Sequence, residues 1–176
     1  MRIVLNPALA KVASVALALL LTTSVAAQPV AAEDALAPSD RHGKISRLVT
    51  TLFERSHYRR ATVDDSASSR MLDAYLDALD RNRQYFLAAD IAQFEPLRTR
   101  LDDAVKRGEL DAVFAIYDRY LSRARERVEF ALAVLEEEPD FSIDEEFMFD
   151  RSEEPWAASR AELDDLWRKR VKNDAL

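Results

Sequence analysis

Glycine is nearly absent from this chain, and that scarcity restricts what the chain can fold into. Gly43 and Gly108 are the only two glycines among its 176 residues. Tight turns and hairpins depend on glycine because it adopts positive φ at no steric cost. The rest of the sequence is rich in Ala, Leu, Arg and Glu, which favour helices over strands. The composition therefore predicts an all-α protein.

Apolar residues recur at helical spacing in successive segments, which predicts an irregular bundle of about five helices. The predicted helices cover residues 40–55, 65–80, 90–107 and 110–137, and a last one opens at the capping box Ser159-Arg160-Ala161-Glu162. Asp64 or Asp65 suits the N-cap of the second helix, and Gly108 suits the C′ position after the third. Pro96 predicts that the third helix is kinked or begins there. The first helix has one apolar stripe, formed by Ile45, Leu48, Val49, Leu52 and Phe53.

A long aromatic and acidic loop is predicted before the last helix, where the helical pattern stops. It contains seven acidic residues between Glu136 and Glu146, together with the large apolar side chains Phe141, Phe147, Phe149 and Trp156. Such aromatics either cap the bundle or form a partner surface, and capping is the favoured interpretation. The acidic cluster could bind calcium, but it lacks the central glycine of an EF-hand loop, so a solvated loop is favoured.

Residues 1–27 have the layout of a cleaved signal peptide. Arg2 and Lys11 precede an apolar run over 12–21, and small residues lead to Ala27 before Gln28. About ten continuous apolar residues are too few for a membrane anchor, which needs roughly twenty. We therefore expect cleavage between Ala27 and Gln28, a periplasmic product, a flexible Ala/Pro-rich leader over 28–39 and one helical domain over 40–176.

No sequence pattern of a catalytic, cofactor or metal centre is present. Cysteine is absent, and His42 and His57 have no companion ligands, so structural roles are expected for both. There is no GxSxG elbow and no SxxK box, and no cofactor is predicted. The lysines outside the signal are expected to be solvated: Lys44, Lys106, Lys169 and Lys172. A net charge of −7 makes nucleic acid an unsuitable partner.

Several short stretches together resemble the N-terminal domain of the bacterial tail-specific, or carboxy-terminal processing, proteases. They are Arg55-Ser56-His57-Tyr58-Arg59, Leu76-Asp77-Ala78-Leu79-Asp80, Tyr85-Phe86-Leu87-Ala88-Ala89-Asp90-Ile91, Phe130-Ala131-Leu132-Ala133-Val134-Leu135, Phe141, Asp150-Arg151-Ser152 with Pro155-Trp156, and Ala161-Glu162-Leu163 with Leu166-Trp167. Their order and spacing over residues 40–176 carry the resemblance, since no single stretch is specific. Ala89 stands where relatives tend to have serine, which leaves Asp90 to cap that helix.

The resemblance implies a periplasmic serine endopeptidase that acts on proteins with apolar C-terminal tails through a Ser–Lys pair. In that family a PDZ module and the catalytic core accompany the helical domain, and some relatives dock a helical-repeat lipoprotein adaptor. Neither module lies in these 176 residues, so the domain over 40–176 is expected to be incomplete at its C-terminal end, inactive alone, and a scaffold. The family-signature residues, with structural or interaction roles, are Arg55, Ser56, His57, Tyr58, Asp80, Asp90, Phe141, Asp150, Arg151, Trp156, Leu166 and Trp167.

Two other interpretations stay open on the sequence alone. The chain could be a free-standing periplasmic binding module that holds a partner through the loop over 141–156 and the long fourth helix. It could also be an independent hydrolase whose site no motif reveals. Assay of the chain on a peptide with an apolar C terminus tests the hydrolase: cleavage is expected of an independent hydrolase, and none of a binding module or a scaffold.

Overall fold

Helices provide nearly all of the regular structure. A computed structural model describes residues 36–56 and 62–176. These ranges contain six α-helices, and a 3-10 helix over Glu95–Thr99 separates the third from the fourth. The α-helices are α1 (Asp40–Ser56), α2 (Asp65–Asp80), α3 (Ala88–Phe94), α4 (Leu101–Arg107), α5 (Asp111–Leu135) and α6 (Arg160–Asp174). No strand occurs in the described ranges, where one isolated parallel bridge joins Leu87 to Ala157. The all-α prediction is confirmed.

Side-chain caps start two of the helices where the sequence predicts them. Asp64 is the N-cap of α2, and its carboxylate accepts a hydrogen bond from the Ala67 N–H at 3.0 Å. Ser159 caps α6 by accepting from the Glu162 N–H at 3.2 Å. The Glu162 carboxylate returns to the N–H of Ala158 at 2.8 Å, one residue earlier than in a standard capping box.

The prediction of one helix over 90–107 is wrong, because that segment is divided in two. It begins at Ala88, and Pro96 lies in the 3-10 stretch, where a missing N–H and the ring prevent α-helical bonding. Ser68 of α2 is fully buried at this break. Its hydroxyl donates to the Leu97 carbonyl at 3.2 Å and accepts from the Leu101 N–H at 2.8 Å. Ser68 thereby satisfies backbone groups that the break leaves without helical partners.

The hydrophobic core lies where α2, α3, α4 and α5 meet the connector after α2, which comprises residues 81–87. Its buried members are Leu72, Leu76, Phe86, Phe94, Leu101 and Ile116. A smaller cluster of Ala157, Leu163 and Trp167 packs against Phe130 and Ala131 of α5 and holds α6 in place. Phe86 of the connector is fully buried, and Tyr85 is partly buried against Tyr120 and Trp167.

The two glycines meet where α1 docks on the end of α4. Gly108 ends α4 with φ of 73°, as predicted for a C′ glycine. A Cβ on Gly43 would lie 2.7 Å from the Gly108 carbonyl oxygen, so the two backbones approach too closely for a side chain. Ser46 donates to the Val105 carbonyl at 2.8 Å, and Arg47 donates to the Arg107 carbonyl at 2.9 Å. Helix α1 is therefore attached through its small and polar residues.

Substitution of Gly43 by alanine tests this contact. Alanine favours a helix over glycine by about 1 kcal/mol, but the new Cβ meets a backbone oxygen that cannot rotate away. We expect Gly43→Ala to lower the free energy of unfolding by about 1–3 kcal/mol, measured by urea unfolding. Thr51→Ala, on an exposed part of the same helix, should change it by about 0.5 kcal/mol or less. A Gly43→Ala protein as stable as its parent would show that α1 does not dock through this approach.

Candidate interaction surface

A buried carboxylate organises the turn after α2. Asp80 is 3% exposed, and it accepts hydrogen bonds from the backbone N–H groups of Gln84 at 2.8 Å and of Tyr85 and Phe86 at 2.9 Å each. Burial raises the pKa of Asp80 above its ordinary value, and the three N–H donors oppose that shift by stabilising the charged form. Asp80 thus directs the chain from α2 to the buried Phe86.

A second buried carboxylate joins α3 to α5. The N-cap of α3 is Leu87, so Asp90 is not the cap residue itself; it lies at the N3 position, and its carboxylate accepts from the Leu87 N–H at 3.0 Å. The Arg123 guanidinium of α5 donates to both carboxylate oxygens, at 2.8 and 3.1 Å. Burial alone would raise the pKa of Asp90, but Arg123 and the Leu87 N–H hold it below its ordinary value. No sequence pattern indicates Arg123, because its partner lies 33 residues away.

Trp167 attaches α6 to the same turn. Its indole N–H donates to the Gln84 carbonyl at 2.6 Å, and its ring meets Tyr85 edge to face at 5.6 Å between centroids. The Arg170 guanidinium lies 4.6 Å from the Trp167 ring centroid and donates to the Gln84 side-chain carbonyl at 2.7 Å. One turn of α6 therefore fixes its position through both the backbone and the side chain of Gln84.

The end of the long loop returns to this turn as well. The Ala88 N–H donates to the Ala157 carbonyl at 2.9 Å, within the isolated bridge. Trp156 packs edge to face on Phe86 at 6.0 Å, and the Arg83 guanidinium lies 5.5 Å from the Trp156 ring centroid. Arg83 also donates to the Glu154 carbonyl. The connector after α2 is therefore the point at which α2, α3, the loop and α6 converge.

Ion pairs hold the middle of the loop against α6. Arg168 donates to Glu145 at 2.8 Å, and Lys172 donates to the same carboxylate at 2.9 Å. These two cations lower the pKa of Glu145 to about 2. The expectation that Lys172 is solvated is wrong, because its side chain is 11% exposed and paired.

Arg127 of α5 is buried and pairs with Asp164 of α6, a contact that the sequence does not indicate.

Helix α1 presents its apolar stripe to solvent. Its buried residues are Gly43 and Thr50, on the side that docks against α4. The stripe lies away from these buried residues, and its members are 41–60% exposed: Ile45, Leu48, Val49, Leu52 and Phe53. An amphipathic helix normally turns its apolar side to the core. This reversed orientation marks the stripe as a candidate interaction surface.

A groove continues the apolar stripe between α1 and α2. It has a volume of about 530 Å³. Val49 and Phe53 line it from α1, Met71 and Ala74 from α2, and Val105 from α4. Arg70 of α2 also lines it and donates to the Ser66 hydroxyl at 2.6 Å. The stripe and the groove form one apolar surface, here called the α1–α2 groove.

The expectation that the loop aromatics cap the bundle is wrong for two of the four. Trp156 packs on the core and Phe147 is half-buried against Phe149, but Phe141 and Phe149 are 48% and 67% exposed. Ile143 and Met148 are more than half exposed as well. The loop is held at Glu145 and Trp156, so the segments beside these anchors keep their apolar side chains in solvent.

Comparison with known proteins gives the same family as the sequence resemblance. Residues 48–176 match the tail-specific protease N-terminal domain family. The chain belongs to this family. A curated tail-specific protease from Haemophilus influenzae is 36% identical over 132 residues, which cover 74% of this chain and 19% of that relative. The match therefore spans about a fifth of the relative's length.

The signature residues of this tail-specific protease N-terminal domain fall into three groups: interior, exposed or half-buried, and outside the described residues. Asp80, Asp90, Trp156, Leu166 and Trp167 face the interior and converge around the turn after α2. Arg55, Ser56 and Phe141 are exposed, and Asp150 is exposed with its carboxylate bonded to Ser152. Arg151 is half-buried, with a buried Nε that has no hydrogen-bond partner. His57, Tyr58 and the predicted cleavage site at Ala27 and Gln28 lie outside the described residues.

The other functional candidates have local explanations. His42 accepts from the Ser39 N–H at 3.1 Å and stacks on Phe114, which agrees with a structural role. Among the described residues, no three His, Asp or Glu side chains are grouped so that they could hold a metal ion. No helix in those ranges is long and apolar enough to cross a membrane.

Proposed function

We propose that residues 40–176 are the helical scaffold at the amino-terminal end of an exported tail-specific serine endopeptidase, and that they carry none of its catalytic groups. The observation that carries this proposal is that the side chains of four signature residues point into the domain: Asp80, Asp90, Trp156 and Trp167. Each makes its hydrogen bonds or ring contacts within the domain, so none is free to act on a substrate. Membership of the tail-specific protease N-terminal domain family supports the same role.

The proposed parent enzyme is periplasmic and acts on proteins with apolar C-terminal tails. The signal-peptide pattern of residues 1–27 supports export, and the length of the relative supports further modules. These modules would be a PDZ domain and a catalytic core with a Ser–Lys pair. The scaffold would orient them through α6, which Trp167, Arg170 and Asp164 fix to the rest of the domain.

The outer side of α5 is the surface that we assign to the protease body or to a helical-repeat lipoprotein adaptor. Val128, Leu132 and Leu135 recur at helical spacing and are 55–60% exposed. They lie on the helix against which α6 packs, so a module fixed by α6 would be close to them. An apolar row of this kind is suited to bury a second helix.

Export and cleavage assays test the proposal. The chain is expressed with residues 1–35 intact, recovered from the periplasm, and weighed by mass spectrometry; we expect a product that begins at Gln28. On a peptide with an apolar C terminus this product should cleave nothing above buffer, and fusion to the sequence downstream in its own gene should restore cleavage. Robust cleavage by the chain alone would contradict the scaffold role and favour an independent hydrolase.

A free-standing binding module is the second candidate function, and the outward apolar stripe of α1 favours it. The two candidates differ in the sequence that the gene encodes after residue 176. A downstream sequence without PDZ-like or Ser–Lys modules would contradict the scaffold of a protease and favour the binding module. A downstream catalytic core would exclude the free-standing module.

A further inference from the structure

The α1–α2 groove has a basic border that lacks ionic partners. Arg70 is the cation that lines the recess between α1 and α2. Arg41, Lys44 and Arg55 each lie about one helical turn from a residue of the apolar stripe, so they border the stripe on α1 outside the recess. All three are exposed, and within the described ranges none of them forms an ion pair. Cations on α6 such as Arg168 and Lys172 are paired with carboxylates. The chemistry of the groove therefore calls for an occupant with both apolar side chains and carboxylates.

The shape of the surface distinguishes between occupants. Part of its apolar area is recessed between α1 and α2, where Met71 and Val105 line the groove. A flat bilayer surface cannot reach such a recess, whereas a peptide segment can place side chains in it. Pairing of two α1 stripes with each other would bring like charges at Arg41 and Lys44 into a shared interface, which is unfavourable. An acidic peptide segment fits both the recess and the border.

The chain itself contains such a segment in the acidic loop, residues 136–149. This loop has seven acidic residues and no Lys or Arg, although the whole chain contains 25 basic residues. Its apolar side chains Phe141, Ile143, Met148 and Phe149 are 48–67% exposed. Of its acidic residues, Glu145 is used within the molecule, while Glu137, Glu138 and Glu146 are exposed and form no ion pair in the described ranges. The loop and the groove are therefore complementary in both charge and polarity.

We propose that this chain self-associates, with the acidic loop of one molecule occupying the α1–α2 groove of a second copy. Apolar side chains of the loop pack beside Val49 and Met71, and its carboxylates lie against Arg41 and Lys44. Each molecule has one groove and one loop, so a two-fold arrangement buries two equivalent contacts and closes the assembly. Two loop-in-groove contacts also bury about twice the area of one, which brings the total closer to the area of a stable interface. Self-association of this kind does not depend on the protease assignment.

Charge reversal on both surfaces tests the proposal. The chain is expressed with residues 1–35 intact, purified from the periplasm, and studied by analytical ultracentrifugation across micromolar concentrations. We expect a dimer that dissociates on dilution and on addition of salt. Reversal of the groove border in Arg41→Glu/Lys44→Glu, or of the loop in Glu137→Lys/Glu138→Lys, should weaken dimerisation by about tenfold or more. The protein with all four changes should regain most of the lost affinity, because the reversed charges again attract.

Controls separate this result from general charge effects. Arg100→Glu reverses an exposed cation on another element, so it should leave the dimer unchanged. Circular dichroism should show the same helix content in every variant, because the altered side chains are exposed and unpaired. A chain that stays monomeric at all concentrations would overturn the proposal, as would a dimer insensitive to both reversals. Binding of a monomeric chain to phosphatidylglycerol vesicles, lost in Arg41→Glu/Lys44→Glu, would assign the surface to lipid and overturn it also.

Discussion

Trp167→Ala is expected to lower the free energy of unfolding by about 3–5 kcal/mol. Trp167 is 7% exposed, and its removal leaves a cavity beside Tyr85 and takes away the ring on which Arg170 lies. It also leaves the Gln84 carbonyl without its indole donor. Because a domain is stable by only about 5–15 kcal/mol in total, this is a large part of the whole. Urea unfolding followed by the fluorescence of the remaining Trp156 measures it.

Trp167→Phe separates the two contributions of this side chain. Phenylalanine keeps most of the ring contact with Tyr85 and loses the hydrogen bond to Gln84, so about 1–2 kcal/mol should be lost. A loss of less than about 1 kcal/mol in Trp167→Ala would mean that α6 is not held by this contact. That outcome would also weaken the proposal that α6 orients the modules of a larger enzyme.

Asp80→Ala is expected to lower the free energy of unfolding by about 3 kcal/mol. Three backbone N–H groups, on Gln84, Tyr85 and Phe86, would lose the acceptor that satisfies them. Each hydrogen bond to a charged acceptor contributes about 1.5 kcal/mol or more, and the cost of burying the carboxylate offsets part of the sum. Thermal and urea unfolding of the variant measure the loss.

Two related variants sharpen this test. Asp80→Asn keeps one acceptor oxygen, so it should lose about half as much stability as Asp80→Ala. Asp77→Ala removes an exposed carboxylate one turn earlier on the same helix, and it should change stability by about 0.5 kcal/mol or less. Equal losses for Asp77→Ala and Asp80→Ala would show that the turn is not organised by the buried carboxylate.

Sequence patterns predicted those elements whose causes are local. The start of α2 at Asp64 and the end of α4 at Gly108 follow from side-chain capping and from positive φ within a few residues. Pro96 predicted a kink or a helix start, but the sequence did not predict two separate helices with a 3-10 helix between them. Stabilisation of this break depends on Ser68, whose partner Leu101 lies 33 residues away in the sequence. The same limit applies to Arg123 and Arg127, whose carboxylate partners come from other helices.

The candidate site was predicted only in part. The family resemblance singled out Asp80, Asp90 and Trp167, because the order of the short stretches along the chain was enough to identify the family and its signature residues. Their contacts were not predictable, because Trp167 bonds to a carbonyl 83 residues away. The exposed Phe141 and Phe149 contradict the capping interpretation, since hydrophobicity alone does not tell whether a loop aromatic has room in the core.

Residue order and type were enough to establish that this chain is helical, where most helices begin and end, and which family its motifs match. Those properties depend on the helical period, on caps within four residues, and on the order of short stretches. The direction in which α1 faces depends instead on how the helices pack. Its stripe is visible in the sequence, but the docked side is set by the close approach of Gly43 to Gly108, two residues 65 positions apart. Backbone contact at that point requires glycine on both sides, and it turns the apolar side of α1 to solvent.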